Sequence, residues 1–198
     1  RAYRAPAVPV AALHRDLNCD VAVVGMGVSG AMIAEALTAR GHDVVMIDRR
    51  GPMRGSTCAT TALVQFEIDQ PLTRLSRMVG KEAATAAWRR SRLAVANLAT
   101  RIETLGIECR LAVRPSLYLA GNVLDPTALQ EEAAARRAAG LCAEYLARAE
   151  LRDRFGIARD GAILSEGNLA LDPRKLTSGL LNEAAARKAR LYAPVEAG

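Results

Sequence analysis

Aromatic residues and lysine are the two residue classes in which this chain is poorest. Its 198 residues include two Phe, one Trp and four Tyr, so few rings are available to stack on nucleic-acid bases. Lysine occurs only at Lys81, Lys175 and Lys188, and the net charge of +6 comes from arginines spread along the chain without a basic block. Solvated helix faces explain this distribution better than a nucleic-acid surface does, whereas acidic small molecules stay compatible with it.

Residues that could bind a metal are sparse as well. The four cysteines lie far apart and form no C-x-x-C pair, and the two histidines do not stand near them at ligand spacing. These six residues are Cys19, Cys58, Cys109, Cys142, His14 and His42. We therefore expect no metal site. Because the sequence also lacks a signal-peptide pattern, we expect a cytoplasmic protein with reduced thiols.

The chain contains no long apolar run. Its most apolar stretch, residues 21–34, is shorter than the about 20 residues that a bilayer requires and is interrupted by three glycines. With 51% apolar and 24% charged residues, the composition is typical of a globular protein with room for one domain, or one and part of another. Because the sequence begins with Arg1 rather than Met, we expect a processed or truncated terminus.

The periodicity near the N-terminus predicts a strand, a helix and a second strand. Residues 20–25 are β-branched and end at a glycine, residues 31–40 follow a helical pattern that stops at Gly41, and residues 43–48 form another apolar run. A strand–helix–strand unit of this length places its two strands in parallel through a right-handed crossover. The sequence therefore predicts an α/β fold.

Further patterns predict helices and strands along the rest of the chain. Apolar residues at three- and four-residue steps, including Trp88 as a core residue, predict a helix from Lys81 to Gly106. Asp-Pro pairs predict helix starts at Asp125 and Asp172. Two extended runs flank Pro115, with Tyr118 as a sheet residue, and a short strand follows the last helix.

The strongest functional signal is a glycine motif between the first strand and the first helix. Gly25 permits a tight turn, Gly27 carries no side chain that would keep a pyrophosphate from the backbone, and Gly30 lets helix and strand pack closely. The unpaired N–H groups at this helix start, including those of Val28 and Ser29, favour negative charge. The motif predicts a dinucleotide site; a glycine turn without a ligand is the alternative.

An acidic residue at the end of the second strand supports this prediction. Asp48 lies 18 residues after Gly30, where a carboxylate binds ribose hydroxyls and repels a 2′-phosphate. The acid therefore disfavours NADP, although Arg49 and Arg50 keep that cofactor open. FAD and NAD both use this fingerprint, so the motif does not choose between them.

The segment after the second strand is small, polar and turn-forming. From Gly55 it reads G-S-T-C-A-T-T-A-L-V. Its hydroxyl and N–H groups could hold a second part of a large cofactor, its pyrophosphate or ribityl chain, or Ser56 and Thr57 could be ordinary helix caps. The residues alone leave both interpretations open.

The motifs in this order resemble the FAD-dependent amine oxidoreductases, the family of D-amino-acid oxidase, glycine oxidase and sarcosine oxidase. The resemblance runs through V-A-V-V-G-M-G-V-S-G, M-I-D-R-R, G-S-T-C-A-T-T-A-L, R-P-S-L-Y-L-A and L-D-P-R-K-L-T. It implies FAD as the cofactor. Val28 and Ser29 would contact the pyrophosphate, Asp48 and Arg49 the adenosine, and Ser56 and Thr57 the central phosphates and the ribityl chain. Thr61, Ala62 and Leu63 would lie beside the flavin ring, and Val195 would bind adenine.

The resemblance also implies an architecture and a reaction. We expect an extended leader (1–17), a Rossmann-like FAD-binding domain with a parallel sheet (18–80 and a return segment, 172–198), and a partial α+β substrate domain inserted between them (81–171). Family members are about twice as long, which implies that this chain is an N-terminal portion. The implied reaction is oxidation of the C–N bond of a small amine or amino acid by hydride transfer to flavin.

No catalytic residue is assigned from the sequence, because no pair of acids shows the spacing of a general acid and base and neither histidine stands near the glycine motif. Two other functions stay open. One is an NAD-dependent dehydrogenase, and the other is a nucleotide-binding remnant without catalytic activity.

Overall fold

The computed structural model describes residues 6–196, so residues 1–5 of the predicted leader and the last two residues of the return segment lie outside it. Backbone contacts divide the chain into two compact units. The first comprises Arg1–Ala62, Arg101–Leu111 and Leu171–Gly198, and the second comprises Leu63–Thr100 and Ala112–Ala170. Residues 63–80, which the sequence grouped with the first cofactor-binding segment, therefore cluster with the second unit.

The described part of the chain contains seven strands and six α-helices. The strands are β1 (Val21–Val24), β2 (Val44–Ile47), β3 (Leu63–Val64), β4 (Ala112–Leu119), β5 (Glu144–Ala147), β6 (Gly161–Ala170) and β7 (Arg190–Tyr192). The helices are α1 (Val28–Thr38), α2 (Leu72–Val79), α3 (Lys81–Thr104), α4 (Pro126–Ala138), α5 (Arg148–Phe155) and α6 (Pro173–Ala186).

The first unit is built on a parallel sheet. Its order is β1-β2-β7, with Val21 opposite Val44 and Met46 opposite Leu191. The central strand β2 is an uninterrupted apolar run whose first three residues are buried, as expected for a parallel strand covered on both faces. This confirms the predicted α/β fold with a parallel sheet.

Helices α1 and α6 pack against each other in the first unit through small and apolar residues. Ala31 and Ala34 of α1 are fully buried, and Leu181 and Ala184 of α6 are fully buried as well. Helix α6 begins at the predicted cap, where the Asp172 carboxylate accepts hydrogen bonds from the N–H groups of two residues in the first turn.

A buried carboxylate ties three helical segments of the first unit together. Glu35 of α1 is 3% exposed and forms ion pairs with Arg101 and with Arg187, the latter at 2.5 Å. Burial raises the pKa of Glu35, but the hydrogen bonds and charges of the two guanidinium groups outweigh it and lower the pKa below its ordinary value.

The second unit is built on an antiparallel sheet. The long strand β6 pairs with β4 along one side, and with β5 and β3 at opposite ends of its other side. A β-bulge lies between two registered pairs, Arg114 with Asn168 and Ser116 with Ser165, so β6 has one residue more than β4 there. Gly167 in this bulge has a φ of 94°, a conformation that glycine adopts without strain.

Helices cover both faces of the antiparallel sheet. On one face, Ile163 packs with Leu129 and Ala133 of α4. On the other face, Ala162 and Leu164 pack with Leu151 of α5. Trp88 of α3 is fully buried, as predicted for a core residue.

Three features of the second unit depart from the sequence prediction. The first is that residues 112–119 form one strand that passes through Pro115, rather than two extended runs. Among the described strands β4 pairs only with β6, so Pro115 lies on an edge strand, where its missing N–H group is not required. The second is helices α2 and α5, and the third is strands β3, β5 and β6, none of which was predicted. Helix α4, by contrast, begins at the predicted Asp125 cap.

Within residues 6–196, no helix combines the length and the apolar character needed to cross a membrane.

Candidate functional site

The glycine motif forms a tight turn from β1 into α1. Gly25 has a φ of 102° and donates its N–H to the Ile47 carbonyl oxygen at 2.8 Å. A Cβ atom added to Gly30 would overlap the carbonyl oxygen of Gly25 and lie 3.1 Å from its carbonyl carbon. Only glycine at position 30 therefore lets α1 start this close to β1, which is the packing that the sequence predicted.

The N-terminus of α1 is open. Gly27 is the N-cap residue and has no side chain of its own to cap this end. The first intrahelical bond runs from the Ala31 N–H to the Gly27 carbonyl at 2.9 Å, so the N–H groups before it have no intrahelical acceptor. One of these donors, the N–H of Val28, is engaged by the Thr57 hydroxyl oxygen at 3.1 Å, whereas Ser29 is exposed.

Thr57 lies against the glycine motif. It is 4% exposed, and a Cβ atom added to Gly27 would stand 3.2 Å from its hydroxyl oxygen. Ser56 is exposed beside it in a short 3-10 helix, Ser56–Cys58. The Thr57 hydroxyl oxygen therefore accepts a hydrogen bond from an N–H group at the start of α1, which is part of the work of a helix cap. Contacts of Ser56 and Thr57 with a cofactor stay predictions.

Asp48 holds the glycine motif and the following turn at once. Its Oδ2 accepts a hydrogen bond from the N–H of Met26 at 2.8 Å, and its Oδ1 accepts from the N–H groups of Arg50 and Gly51 at 2.8 and 2.9 Å. Burial raises the pKa of Asp48, but the three backbone hydrogen bonds and the charge of Arg50 outweigh it and lower the pKa. The carboxylate is therefore ionised at neutral pH.

A cleft of about 300 Å³ opens beside Asp48, in the size range of small-ligand pockets. Val195 reaches this cleft because its N–H donates to the Asp48 carbonyl oxygen at 3.0 Å. The contact brings the last predicted residue beside the first ones, although they are far apart in sequence. The cleft is lined by Val24, Gly25, Asp48, Arg49, Arg50, Val195 and Glu196.

The three residues predicted beside a flavin ring lie where the first unit passes into the second. Thr61 is exposed, Ala62 adopts a φ of 65°, and Leu63 begins β3 with 55% of its surface exposed. Ala62 accepts a hydrogen bond from the Leu171 N–H through its carbonyl oxygen at 3.2 Å. Their contacts with a cofactor stay predictions.

The hydrogen bonds that hold the glycine motif in place were not predicted from the sequence. Asp48 was predicted only as a ribose ligand, yet it also accepts the N–H groups of Met26 and Gly51. Part of this could have been found, since Asp followed three residues later by Gly is typical of a turn in which the carboxylate accepts backbone N–H groups. The bond between Val28 and Thr57 joins residues 29 apart and carries no local signal.

A parallel sheet, a glycine turn into an uncapped helix and an acid at the end of the second strand define a dinucleotide-binding protein of the Rossmann type. The family comparison is more specific. Residues 20–197 match the family DAO, described as "FAD dependent oxidoreductase". The chain belongs to this family of FAD-dependent oxidoreductases, as its resemblance predicted.

Known proteins resemble this chain over part of their length. It is similar to the Bacillus subtilis (strain 168) protein YhfW, named as a Rieske 2Fe-2S iron-sulfur protein, with 31% identity over 98 residues, 50% of this chain and 19% of that protein. Glycine oxidase from Geobacillus kaustophilus matches with a TM-score of 0.69 and 25% identity over 90% of this chain and 47% of its own. L-Amino acid deaminase from Proteus myxofaciens matches with a TM-score of 0.73 and 17% identity over 96% of this chain and 41% of its own, which shows a shared fold. This chain thus spans less than half of the length of each of these proteins.

Proposed function

We propose that the first unit binds FAD and that the protein oxidises the C–N bond of an amine or amino acid. The observation that carries the proposal is the set of hydrogen bonds to Asp48. Its carboxylate accepts the Met26 N–H of the glycine motif, its carbonyl oxygen accepts the Val195 N–H, and Gly25, Asp48 and Val195 line one cleft. Membership of the FAD-dependent oxidoreductase family supports the cofactor. The names of glycine oxidase and L-amino acid deaminase support the substrate class.

The residues at the start of α1 suit a pyrophosphate. Gly27 presents backbone without a Cβ atom, and the N–H groups of Ser29 and Gly30 lie at the positive end of the helix dipole. The Thr57 hydroxyl accepts the Val28 N–H, so its own proton is left to donate to a phosphate oxygen. In this proposal Thr57 both orients the loop and contacts the cofactor.

The residues around the cleft suit an adenosine. Each carboxylate oxygen of Asp48 can accept two hydrogen bonds. Its Oδ1 already accepts two and its Oδ2 accepts one, so a single acceptor position on Oδ2 is left for a ribose hydroxyl. The Val195 N–H is engaged by Asp48, so any backbone contact between Val195 and adenine would use the carbonyl oxygen.

When bound, FAD supplies the capacity to accept a hydride from the substrate carbon. The protein residues described above bind and orient it, and Thr61, Ala62 and Leu63 are proposed to lie along its ring. We assign no catalytic residue. The substrate is proposed to be a small amine, and neither nucleic acid nor a second protein is part of the proposal.

The test is to mix the purified chain with FAD, separate it by gel filtration and record the visible flavin spectrum of the protein peak. We expect retained flavin in the unaltered chain and loss of flavin in a Gly27→Val variant, whose side chain would occupy the pyrophosphate approach beside Thr57. A Gly121→Val variant is the matched control, because a Cβ atom at Gly121 has nothing within 4 Å.

Folded chain that emerges without flavin would overturn the cofactor assignment. In that case the same experiment with NAD distinguishes the dehydrogenase from a protein that binds no dinucleotide. Binding of NAD but not FAD would support the dehydrogenase, whereas folded protein that retains neither would support a remnant without cofactor.

The similarity to YhfW favours a second candidate for the electron acceptor. Because that protein is named as an iron-sulfur protein, the proposed acceptor of the electrons taken from the amine is in this case an iron-sulfur centre rather than oxygen. Oxygen consumption that accompanies amine oxidation one to one would exclude this candidate; turnover only with an added one-electron acceptor would support it.

A further inference from the structure

Four buried side-chain atoms among residues 6–196 have no hydrogen-bond partner in the protein, and all four belong to the second unit. Two are donors, one is an acceptor, and one hydroxyl can do both. Buried polar atoms nearly always find a partner, so each such atom calls for an explanation. The atoms are Glu67 Oε2, Trp88 Nε1, Arg136 Nη1 and Ser165 Oγ.

The four residues lie at or near two neighbouring cross-strand pairs of the antiparallel sheet, here called rows. Ser116 stands opposite Ser165, and Tyr118 stands opposite Ile163. Residues two apart on a strand point to the same face, so the two pairs form adjacent rows on one face, roughly 7 Å apart. This is the face that α4 covers, because Tyr118 and Ile163 pack in the same cluster as Leu129.

Arg136 lies over the Tyr118 row. Its guanidinium carbon is 5.6 Å from the centre of the Tyr118 ring and 4.5 Å from that of Trp88. One nitrogen, Nε, donates to Glu132 Oε1 at 2.7 Å. The side chain of Arg136 is 1% exposed, so its unpaired Nη1 cannot reach bulk solvent.

Glu67 lies over the Ser116 row. Its Oε1 accepts hydrogen bonds from the Ser116 hydroxyl at 2.5 Å and from Asn168 Nδ2 at 3.3 Å. Asn168 reaches this face because the bulge at Gly167 shifts the alternation of β6 by one residue. The other carboxylate oxygen, Oε2, is the one without a partner.

Carboxylates and guanidinium groups both lie near the two rows. Glu67 accepts hydrogen bonds from Ser116 and Asn168, and Arg136 donates to Glu132. The four unpartnered atoms include donors and acceptors, so a neutral ligand that can both donate and accept hydrogen bonds suits them.

We propose that the second unit contains an internal hydration site between α3, α4 and the rows of Ser116 and Tyr118. Ordered water molecules there accept hydrogen bonds from Trp88 Nε1 and Arg136 Nη1 and donate to Glu67 Oε2 and Ser165 Oγ. Internal waters typically make about three such bonds and are an integral part of the packing. The proposal does not depend on FAD binding, which concerns the first unit.

The single tryptophan of the chain makes this site directly observable. A nitrogen–proton correlation spectrum of the labelled 198-residue chain contains one indole N–H signal, that of Trp88. We expect a cross-relaxation peak between this proton and water with the sign of a long-lived bound molecule. An indole signal with slow hydrogen exchange and no water peak would overturn the proposal.

A pair of serine variants tests the same site by stability. Ser165→Ala removes a hydroxyl with no protein partner, so in a dry site the variant would be as stable as the unaltered chain or more stable. If the hydroxyl holds water, we expect the folding equilibrium constant to fall about fivefold. Ser91→Ala, which removes a direct 2.7 Å bond to the Phe66 carbonyl, calibrates the loss of one full hydrogen bond. An unchanged or raised urea midpoint for Ser165→Ala counts against the hydration site.

Discussion

The carboxylate of Asp48 accepts a hydrogen bond from the backbone N–H of Met26 at 2.8 Å, across 22 residues of sequence. The bond ties the end of β2 to the centre of the glycine motif. Together with the bond from Val28 to Thr57, it orders the loop before any ligand binds. A ligand then meets donors that are already in position, which reduces the entropy cost of binding.

Replacing Asp48 tests this arrangement. An Asp48→Ala variant loses the acceptor of three backbone N–H groups as well as the proposed ribose contact. We expect FAD affinity to fall at least about tenfold, because hydrogen bonds to a charged group contribute about 1.5–3 kcal/mol. Titration of the flavin spectrum measures the affinity, and Asp69→Ala, at an exposed position, is the control. Equal affinity for all three chains would refute the assigned role of Asp48.

Gly30 tests the close approach of helix and strand. A Gly30→Ala variant places a methyl group on the carbonyl oxygen of Gly25, so either the start of α1 or the end of β1 has to move. We expect the free energy of unfolding to fall by about 1–3 kcal/mol, the cost of overpacking. Gly121→Ala has free space around its Cβ atom and serves as the control. Urea denaturation with equal midpoints for the two variants would contradict this packing argument.

Glu132 makes the second unit sensitive to acid. Its carboxylate accepts the N–H groups of Leu72 and Thr73 at 2.8 Å each, and Arg136 at 2.7 Å. Burial raises the pKa of Glu132, but the bonds from Thr73 and Arg136 outweigh it and lower the pKa. Its stabilisation is therefore complete above the ordinary glutamate pKa of about 4.3 and is lost as the pH falls through the lowered folded-state pKa.

We accordingly expect Glu132→Gln to be less stable than the unaltered chain at pH 7 and to lose less stability on acidification below about pH 4.3. Thermal unfolding from pH 7 to pH 3 measures both effects. Glu131→Gln is the matched control, because Glu131 is the exposed neighbour on α4. Parallel pH profiles for the two variants would show that Glu132 does not cause the acid sensitivity.

Because Glu35 is buried, we expect loss of its partner Arg187 to destabilise the protein more than loss of an arginine in an exposed ion pair. Arg187→Met leaves Glu35, which is 3% exposed, with one guanidinium partner instead of two. We expect a loss of about 1–3 kcal/mol in the free energy of unfolding, less than for a fully buried pair because the Arg187 side chain is 31% exposed. Arg152→Met breaks a pair whose side chains are 70% and 69% exposed, and it should change stability by less than about 0.5 kcal/mol. A smaller loss for Arg187→Met than for Arg152→Met would contradict the prediction.

Much of the first unit could be predicted from sequence because its signals are local. The strand, turn and helix around Gly25 fall within 20 residues, and the predicted strand at 43–48 matches β2. The caps Asp125 and Asp172 are local as well, since each carboxylate accepts N–H groups two or three residues away. The second unit was predicted less well. Its long strand β6 carries the residues S-E-G-N, which favour turns, and only its pairing with β4 makes them a strand.

The sequence by itself determined the dinucleotide fold and its glycine turn, because both depend on neighbouring residues whose spacing is visible in one dimension. The cofactor contacts stay predictions from the family resemblance. The tertiary structure decided which groups satisfy one another. Glu35 accepts a hydrogen bond from Arg187, 152 residues away, and the Phe66 N–H donates to Asn168, 102 residues away. The strand pairs of the second sheet likewise join residues that are far apart in sequence. Such contacts depend on burial, since a polar group removed from water binds whichever partner the packing brings within reach.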